Sequence, residues 1–437
     1  MLINNIPKRN ARRYPNKVAA VFKGTRYTFK EFNERINSLA NALIDIGLRK
    51  GDKVAILSEN CPQYIEAFFT AAKIGLVIAP LNPALSQREL SHLINNAETK
   101  VVMFSQDNKS LVDSLRPELR GVRSYIVIGA PEGETKGYEQ LVSSYPPIEP
   151  EAEISDDDLL FFPLTGGTTG LPKQVMYTHR NLLAMALDSL WAWDTNHEDI
   201  HLLSAPAFWS LTFLMQIIPQ LYMGSTVVIA KDSSPGSILK IIEKEKISLS
   251  FFASTFLPQL LDSPDLNKYN YKSLRRVIVA GAPLPTSVWQ RAIKTFGNIF
   301  GQIYALCEIV PVTFLPPEDF IIEGPPEKVR RLRSCGKESL NTEVKVVDEL
   351  GNNVLPGQVG EIIAKSESMM EGYWKAPKAT EETVRGGYLY TGDLATLDED
   401  GYIYFAGRKK DGIVTEGKVL SPSEIEDIIY RHPAILE

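Results

Sequence analysis

The chain has 437 residues, 44% of them hydrophobic and 23% charged, an ordinary globular composition long enough for two or three folding units. Its 47 basic and 53 acidic residues leave a net charge of −6, which excludes a general pull toward nucleic acid or an anionic membrane. Three scattered cysteines, Cys61, Cys307 and Cys335, are too few for a disulfide framework, so a reducing cytoplasm is the expected location.

Residues 1–13 carry no continuous apolar run of the signal-peptide kind. Thr28 and Glu31 form a capping-box pair ahead of Phe32, Ile36, Leu39, Ala40 and Leu43, which recur at helical spacing. Gly47 ends that helix, and 53–57 reads as a short buried strand. Ser86 and Glu89 repeat the capping pattern before another helix, and 100–104, 124–128 and 276–279 supply further apolar strands. Such strands separated by helices predict an α/β fold, with open, mostly parallel sheets covered on both faces. The acidic, proline-containing stretch 145–158 reads as a connector.

Gln216, Pro219, Gln220 and Gly224 break up the apolar run 208–230. It therefore predicts a buried helix over 209–222 and a strand over 225–230, not a transmembrane segment. After about residue 330 the texture changes. Segments 343–347, 360–364 and 402–406 read as short strands joined by glycine- and aspartate-rich turns, a smaller β-rich subdomain. A last helix is expected to open at Ser421, Ser423 and Glu424.

The strongest local signal follows the apolar run 159–162. Thr165, Gly166, Gly167, Thr168, Thr169, Gly170, Leu171, Pro172 and Lys173 put three glycines, three threonines and a lysine within nine residues. Glycines let backbone N–H groups approach an anion, hydroxyls add donors, and lysine brings a mobile cation. The spacing is not that of a Walker A loop, because Lys173 lies three residues beyond Gly170 and precedes Gln174. A glycine-rich surface loop is the plainer alternative.

This loop, followed by Thr178, His179, Arg180 and Asn181, resembles the signature T-S-G-T-T-G-x-P-K-G and T-H-R-N of the adenylate-forming family. That family includes acyl-CoA and aryl-CoA synthetases, luciferase and peptide-synthetase adenylation domains. Gly166 stands in place of the usual serine, and Gln174 in place of glycine. The resemblance implies that Thr165, Gly166, Gly167, Thr168, Thr169, Gly170 and Lys173 surround the ATP phosphates, with Thr168 and Lys173 catalytic.

Further motifs follow in the family's order. Gly281, Ala282 and Pro283 resemble a turn along the adenine and acyl pocket. The segment from Gln302 through Tyr304, Ala305, Cys307 and Glu308 resembles the Y-G-x-T-E motif. It implies Tyr304 near adenine, Glu308 holding Mg²⁺, Cys307 at a threonine position near the α-phosphate, and Ala305 narrowing the acyl pocket. Asp393 in a T-G-D motif would hold ribose. Arg408 would meet ribose or the α-phosphate and, like Glu308, be catalytic, and Lys410 in a G-R-x-K-D motif would be the hinge. Trp209 stands where the family often has histidine and either walls the acyl pocket or packs the core. None of His92, His179, His197, His201 and His432 has metal-ligand spacing, so no zinc site is expected.

The resemblance implies a large multi-subdomain adenylate-forming domain over 1–407, with two parallel-rich sheets packed with helices and the β-rich subdomain over about 330–407. A hinge would occupy 408–412, and 413–437 would begin a mobile C-terminal domain that is mostly absent. The expected activity is that of an AMP-forming acid–thiol ligase using ATP, Mg²⁺ and coenzyme A. Its acid would be hydrophobic: medium-chain, long-chain, cyclic or aromatic. The chain is expected to be impaired without a full C-terminal domain. Delivery to a carrier protein and a non-catalytic nucleotide-binding module are the alternatives. No nucleic-acid partner is expected, and a homodimer is compatible with the sequence.

Overall fold

The computed structural model describes residues 2–166, 171–410, 413–415 and 418–420. Thr168, Thr169 and the helix expected from Ser421 lie outside the described residues. The fold is α/β, and contacts divide it into two compact units. The first comprises Met1–Leu190, Thr195–Ser233 and Ser368–Thr380.

The main sheet of this unit has eight strands among the described residues. From one edge they run Gly372–Tyr373, Val175–Thr178, Leu159–Phe161, Val77–Pro80, Lys53–Leu57, Thr99–Ser105, Ser124–Ile128 and Lys136–Gly137. Pairing is parallel from Leu159–Phe161 to the far edge. The two strands at the near edge are antiparallel. Parallel strands need both faces covered, which explains why nearly every residue of the helix Pro62–Ile74 is buried. Phe68 on this helix meets Phe161 at 5.7 Å and Phe213 at 4.5 Å between ring centroids. That aromatic cluster fixes the strand that leads into the glycine-rich loop.

Both expected capping boxes form. Thr28 Oγ1 accepts from the Glu31 amide at 3.2 Å while Glu31 accepts from the Thr28 amide at 2.8 Å, opening the helix Phe29–Asp45. Ser86 and Glu89 do the same for Gln87–Asn96. The 145–158 stretch is not a free connector. Asn37 and Asn41 donate to the carbonyls of Pro147, Pro146 and Ile148 at 2.9–3.1 Å, and the buried Lys73 pairs with Glu149. It is a strap stapled across two helices of the same unit.

The predicted helix over 209–222 is helical over Ser210–Thr212 and Ile218–Met223 but passes through a π-turn at Phe213–Ile217. The strand after it is Thr226–Ile229, paired in parallel with Ile200–Leu203 and Val18–Phe22. No described helix is long and apolar enough to cross a membrane.

The second unit comprises Trp191–Asp194, Ser234–Glu367 and Glu381–Glu437. Its strands Leu249–Ala253, Arg276–Ala280 and Phe300–Leu306 are parallel, and Ile309–Leu315 turns back antiparallel. A separate antiparallel sheet contains Thr342–Val347, Gly360–Ser366, Tyr388–Leu397 and Ile403–Arg408.

Two histidines in the first unit are fully buried, His179 and His201. Burial, opposed by Asp158 and Asp156 and reinforced by Lys50, lowers His179 to about 4. Burial likewise lowers His201 to about 4, against a hydrogen bond to Gln216 Oε1 and the charge of Asp199. An unfolded histidine titrates near 6.5, so between about pH 4 and 6.5 the unfolded chain binds more protons. Stability contributed by the neutral rings is therefore present above that window and lost as pH falls through it. The loss is on the order of 3 kcal/mol per ring at full protonation. Urea midpoints measured from pH 7 to 4.5 should fall more steeply for the native chain than for His179→Met; parallel curves would contradict the assignment.

Candidate active site

The glycine-rich loop connects two antiparallel strands, and its neck is zipped. The Thr165 amide donates to the Lys173 carbonyl at 3.0 Å, and the Val175 amide donates to the Pro163 carbonyl at 2.9 Å. The Lys173 amide donates to Thr165 Oγ1 at 3.2 Å, which leaves the Thr165 hydroxyl proton available to another acceptor. Gly167 and Gly170 lie, with Thr168 and Thr169, outside the described residues.

The two departures from the family pattern have different physical meanings. A Cβ at Gly166 would meet nothing within 4 Å, so neither crowding nor positive φ demands glycine there. Gln174 is 2% exposed and turns away from the loop. Its Oε1 accepts from Asn96 at 3.0 Å, its Nε2 reaches the Leu93 carbonyl at 3.4 Å, and its carbonyl accepts from the Trp374 amide at 2.9 Å. It anchors the loop base between a helix end and the edge strand.

Thr178 and Asn181 cap the helix His179–Trp193 reciprocally, with Asn181 Oδ1 accepting from the Thr178 amide at 2.9 Å. Asn181 Nδ2 also donates to Glu371 at 3.1 Å. His179 is a buried wedge at this helix start, with no partner for either ring nitrogen among the described residues. Lys173 places its ammonium 4.6 Å from the centroid of the Tyr373 ring.

Trp209 is 47% exposed, so it does not pack in the core. Asn60 pins the turn before it, donating to the Ala205 carbonyl at 2.8 Å and accepting from the Ala207 amide at 2.7 Å. Nothing in the sequence pattern singled out Asn60.

In the second unit the predicted residues gather around Asp393. This carboxylate is 4% exposed and sits directly across the strand pair from Arg408. Arg408 Nε approaches Asp393 Oδ1 at 3.3 Å, and Tyr304 donates to Oδ2 at 2.6 Å. Burial, then the Asp393 charge, raise the Tyr304 phenol well above its usual range, keeping it a donor. Gly392, at φ +75°, shapes the bend, and its amide donates to Glu361 at 3.0 Å. Lys409 ties to the same carboxylate at 3.2 Å, and Lys410 is exposed just beyond.

Gln302, Tyr304 and Ala305 lie on the strand Phe300–Leu306, and Cys307 and Glu308 form the turn after it. Gln302 is 7% exposed, with Oε1 lacking a partner among the described residues. Ala305, Cys307 and Glu308 are half-buried. Gly281 adopts φ +119° at the end of Arg276–Ala280, and Ala282 and Pro283 are exposed. Among the described residues no group of three or more His, Cys, Asp or Glu is arranged as a metal site.

A family model described as AMP-binding enzyme matches residues 7–374. A feruloyl-CoA synthase from Amycolatopsis is 31% identical over 429 residues, covering 98% of this chain and 83% of that protein. A long-chain-fatty-acid–CoA ligase from Bacillus subtilis is 29% identical over 464 residues, covering 98% and 80%. The structure of ATP-bound MatB from Rhodopseudomonas palustris is similar with a TM-score of 0.88 at 25% identity, covering 100% of this chain and 85% of that one.

Gly166→Ser should fold as the native chain does, with stability changed by less than about 0.5 kcal/mol. Gln174→Ala should cost about 1–3 kcal/mol by orphaning Asn96 and the Leu93 carbonyl. Thermal unfolding of the two variants checks both; equal losses would remove the distinction between them.

Proposed function

Because the chain belongs to the AMP-binding enzyme family, we propose that it joins a hydrophobic carboxylic acid to the thiol of coenzyme A through an acyl-adenylate. The observation that carries this reading is the nearly buried Asp393 carboxylate, held between a phenol and a guanidinium on a rigid strand pair. Such a fixed acceptor suits two vicinal ribose hydroxyls. Gln302 Oε1, without a partner among the described residues, offers a further acceptor to a base bearing an amino group.

In the first half-reaction a carboxylate oxygen of the acid attacks the ATP α-phosphorus and pyrophosphate leaves. Lys173 and the Thr165 hydroxyl stabilise charge growing on the departing phosphates. Thr168 and Thr169 are assigned to the same phosphates. Glu308 fits Mg²⁺, which is commonly held by one or two carboxylates plus substrate phosphates; bound there, the ion supplies charge stabilisation to the leaving group. Asp393 and Arg408 hold the nucleoside so that the α-phosphorus meets the acid. In the second half-reaction the thiol attacks the acyl carbonyl, losing its proton as AMP departs.

Trp209 and Ala305 are assigned to the acyl pocket. The turn around Trp209 offers no carboxylate to a substrate ammonium, which favours fatty, cyclic or aromatic acids over amino acids. Gly281, Ala282 and Pro283 are assigned to the adenine side, Cys307 to the α-phosphate side, and Lys410 to a hinge.

With ATP, Mg²⁺ and a panel of carboxylic acids, pyrophosphate release should require a hydrophobic acid. Lys173→Ala should lower kcat by on the order of 100-fold. Asp393→Ala should raise the KM for ATP by about tenfold or more. ATP binding without acid-dependent release across the panel would refute the ligase assignment.

A further inference from the structure

Lys173 is the cation of the loop neck asked to reach phosphate, yet it sits on a flexible four-carbon stem. A free lysine must give up about 2 kcal/mol of rotamer freedom to hold a single position. Lys173 makes no ion pair among the described residues. Its ammonium instead rests 4.6 Å from the centroid of the Tyr373 ring, within the range of a cation–π attraction.

The ring is placed there by backbone geometry. Gly372 and Tyr373 pair antiparallel with Met176 and Val175, immediately after the loop. The Tyr373 amide donates to Thr380 Oγ1 at 2.9 Å. At Gly372, φ is +140° and a Cβ would come 2.8 Å from Thr380 Cγ2, so this approach requires glycine. The Glu371 amide donates to the Met176 carbonyl and the Trp374 amide to the Gln174 carbonyl, each at 2.9 Å. Tyr373 is only 6% exposed, although the lysine above it is exposed. The ring is therefore a fixed floor under a mobile cation.

We propose that Tyr373 is a positioning residue for nucleotide binding, holding Lys173 ready for phosphate through its ring face. This rests on the ligase reading above. A ring face attracts the cation without accepting a conventional hydrogen bond, so the ammonium N–H groups remain available to phosphate oxygens. A carboxylate at the same place would instead neutralise the lysine and repel the nucleotide. The edge strand thus performs two tasks, securing the loop base through Gln174 and its cation through Tyr373.

The test is MgATP binding by isothermal titration calorimetry on the native chain, Tyr373→Phe, Tyr373→Leu, Lys173→Met and the Tyr373→Leu/Lys173→Met double variant. Tyr373→Phe should bind within twofold of native. Tyr373→Leu should bind about three- to tenfold more weakly, and should add nothing when Lys173 is already methionine. A leucine effect equally large in the Lys173→Met background would mark Tyr373 as merely structural and overturn the proposal. Native-like binding by Tyr373→Leu would also overturn it while leaving the ligase reading intact. Failure of the native chain to bind MgATP would overturn the ligase reading itself.

Discussion

The short hydrogen-bonded neck between Thr165 and Lys173 is the constraint on which the loop's chemistry depends. A glycine- and threonine-rich segment has little apolar surface and a large conformational entropy to lose. It can serve as a phosphate cradle only if its ends are held by something else. Here the two ends are consecutive antiparallel strands, joined by backbone bonds on both sides of the neck. One strand is fixed by Phe161 in the aromatic cluster, the other by Gln174 and the edge strand.

That arrangement follows from the sheet behind it. Its parallel strands are buried on both faces and cannot themselves offer polar groups to a substrate. Polar segments must leave such sheets at strand ends, as the glycine-rich loop does after Phe161 and, in another sheet, the turn of Cys307 and Glu308 does after Leu306. The irregular strap over 145–158 shows the same economy in a structural role. It carries little regular structure, yet asparagine side chains and a buried lysine satisfy its carbonyls and a carboxylate.

Much of this organisation was legible before any coordinates. Thr28–Glu31 and Ser86–Glu89 are local devices whose bonding is written in residue spacing, and both form. Strands such as Lys53–Leu57 and Ser124–Ile128 announce themselves because a buried parallel strand is an uninterrupted apolar run. The π-turn at Phe213–Ile217 was not legible, since an apolar helix with one extra residue per turn has nearly the same composition as one without. The 145–158 stretch is a connector between Ser144 and Leu159, but its stapling was not legible because proline and acidic residues look alike whether solvated or stapled. The contacts of Asn60, Gln174 and Tyr373 were not legible for a common reason. Each acts on a partner many positions away, at Ala205, Asn96 and Lys173, and spacing encodes only neighbours. The motif residues Tyr304, Asp393 and Arg408 were named one by one, but their convergence on a single carboxylate required the fold.

That convergence changes how ribose recognition works under the proposed reading. Both oxygens of Asp393 are already engaged, one by Arg408 and the other by the phenol of Tyr304. An incoming ribose meets a carboxylate whose direction is already fixed, and a carboxylate oxygen accepts from more than one donor. The ribose hydroxyls therefore join the phenol and the guanidinium, with no ordering of the acceptor left to be done. A sugar lacking those hydroxyls forfeits the contact, so the same fixed geometry serves both affinity and discrimination.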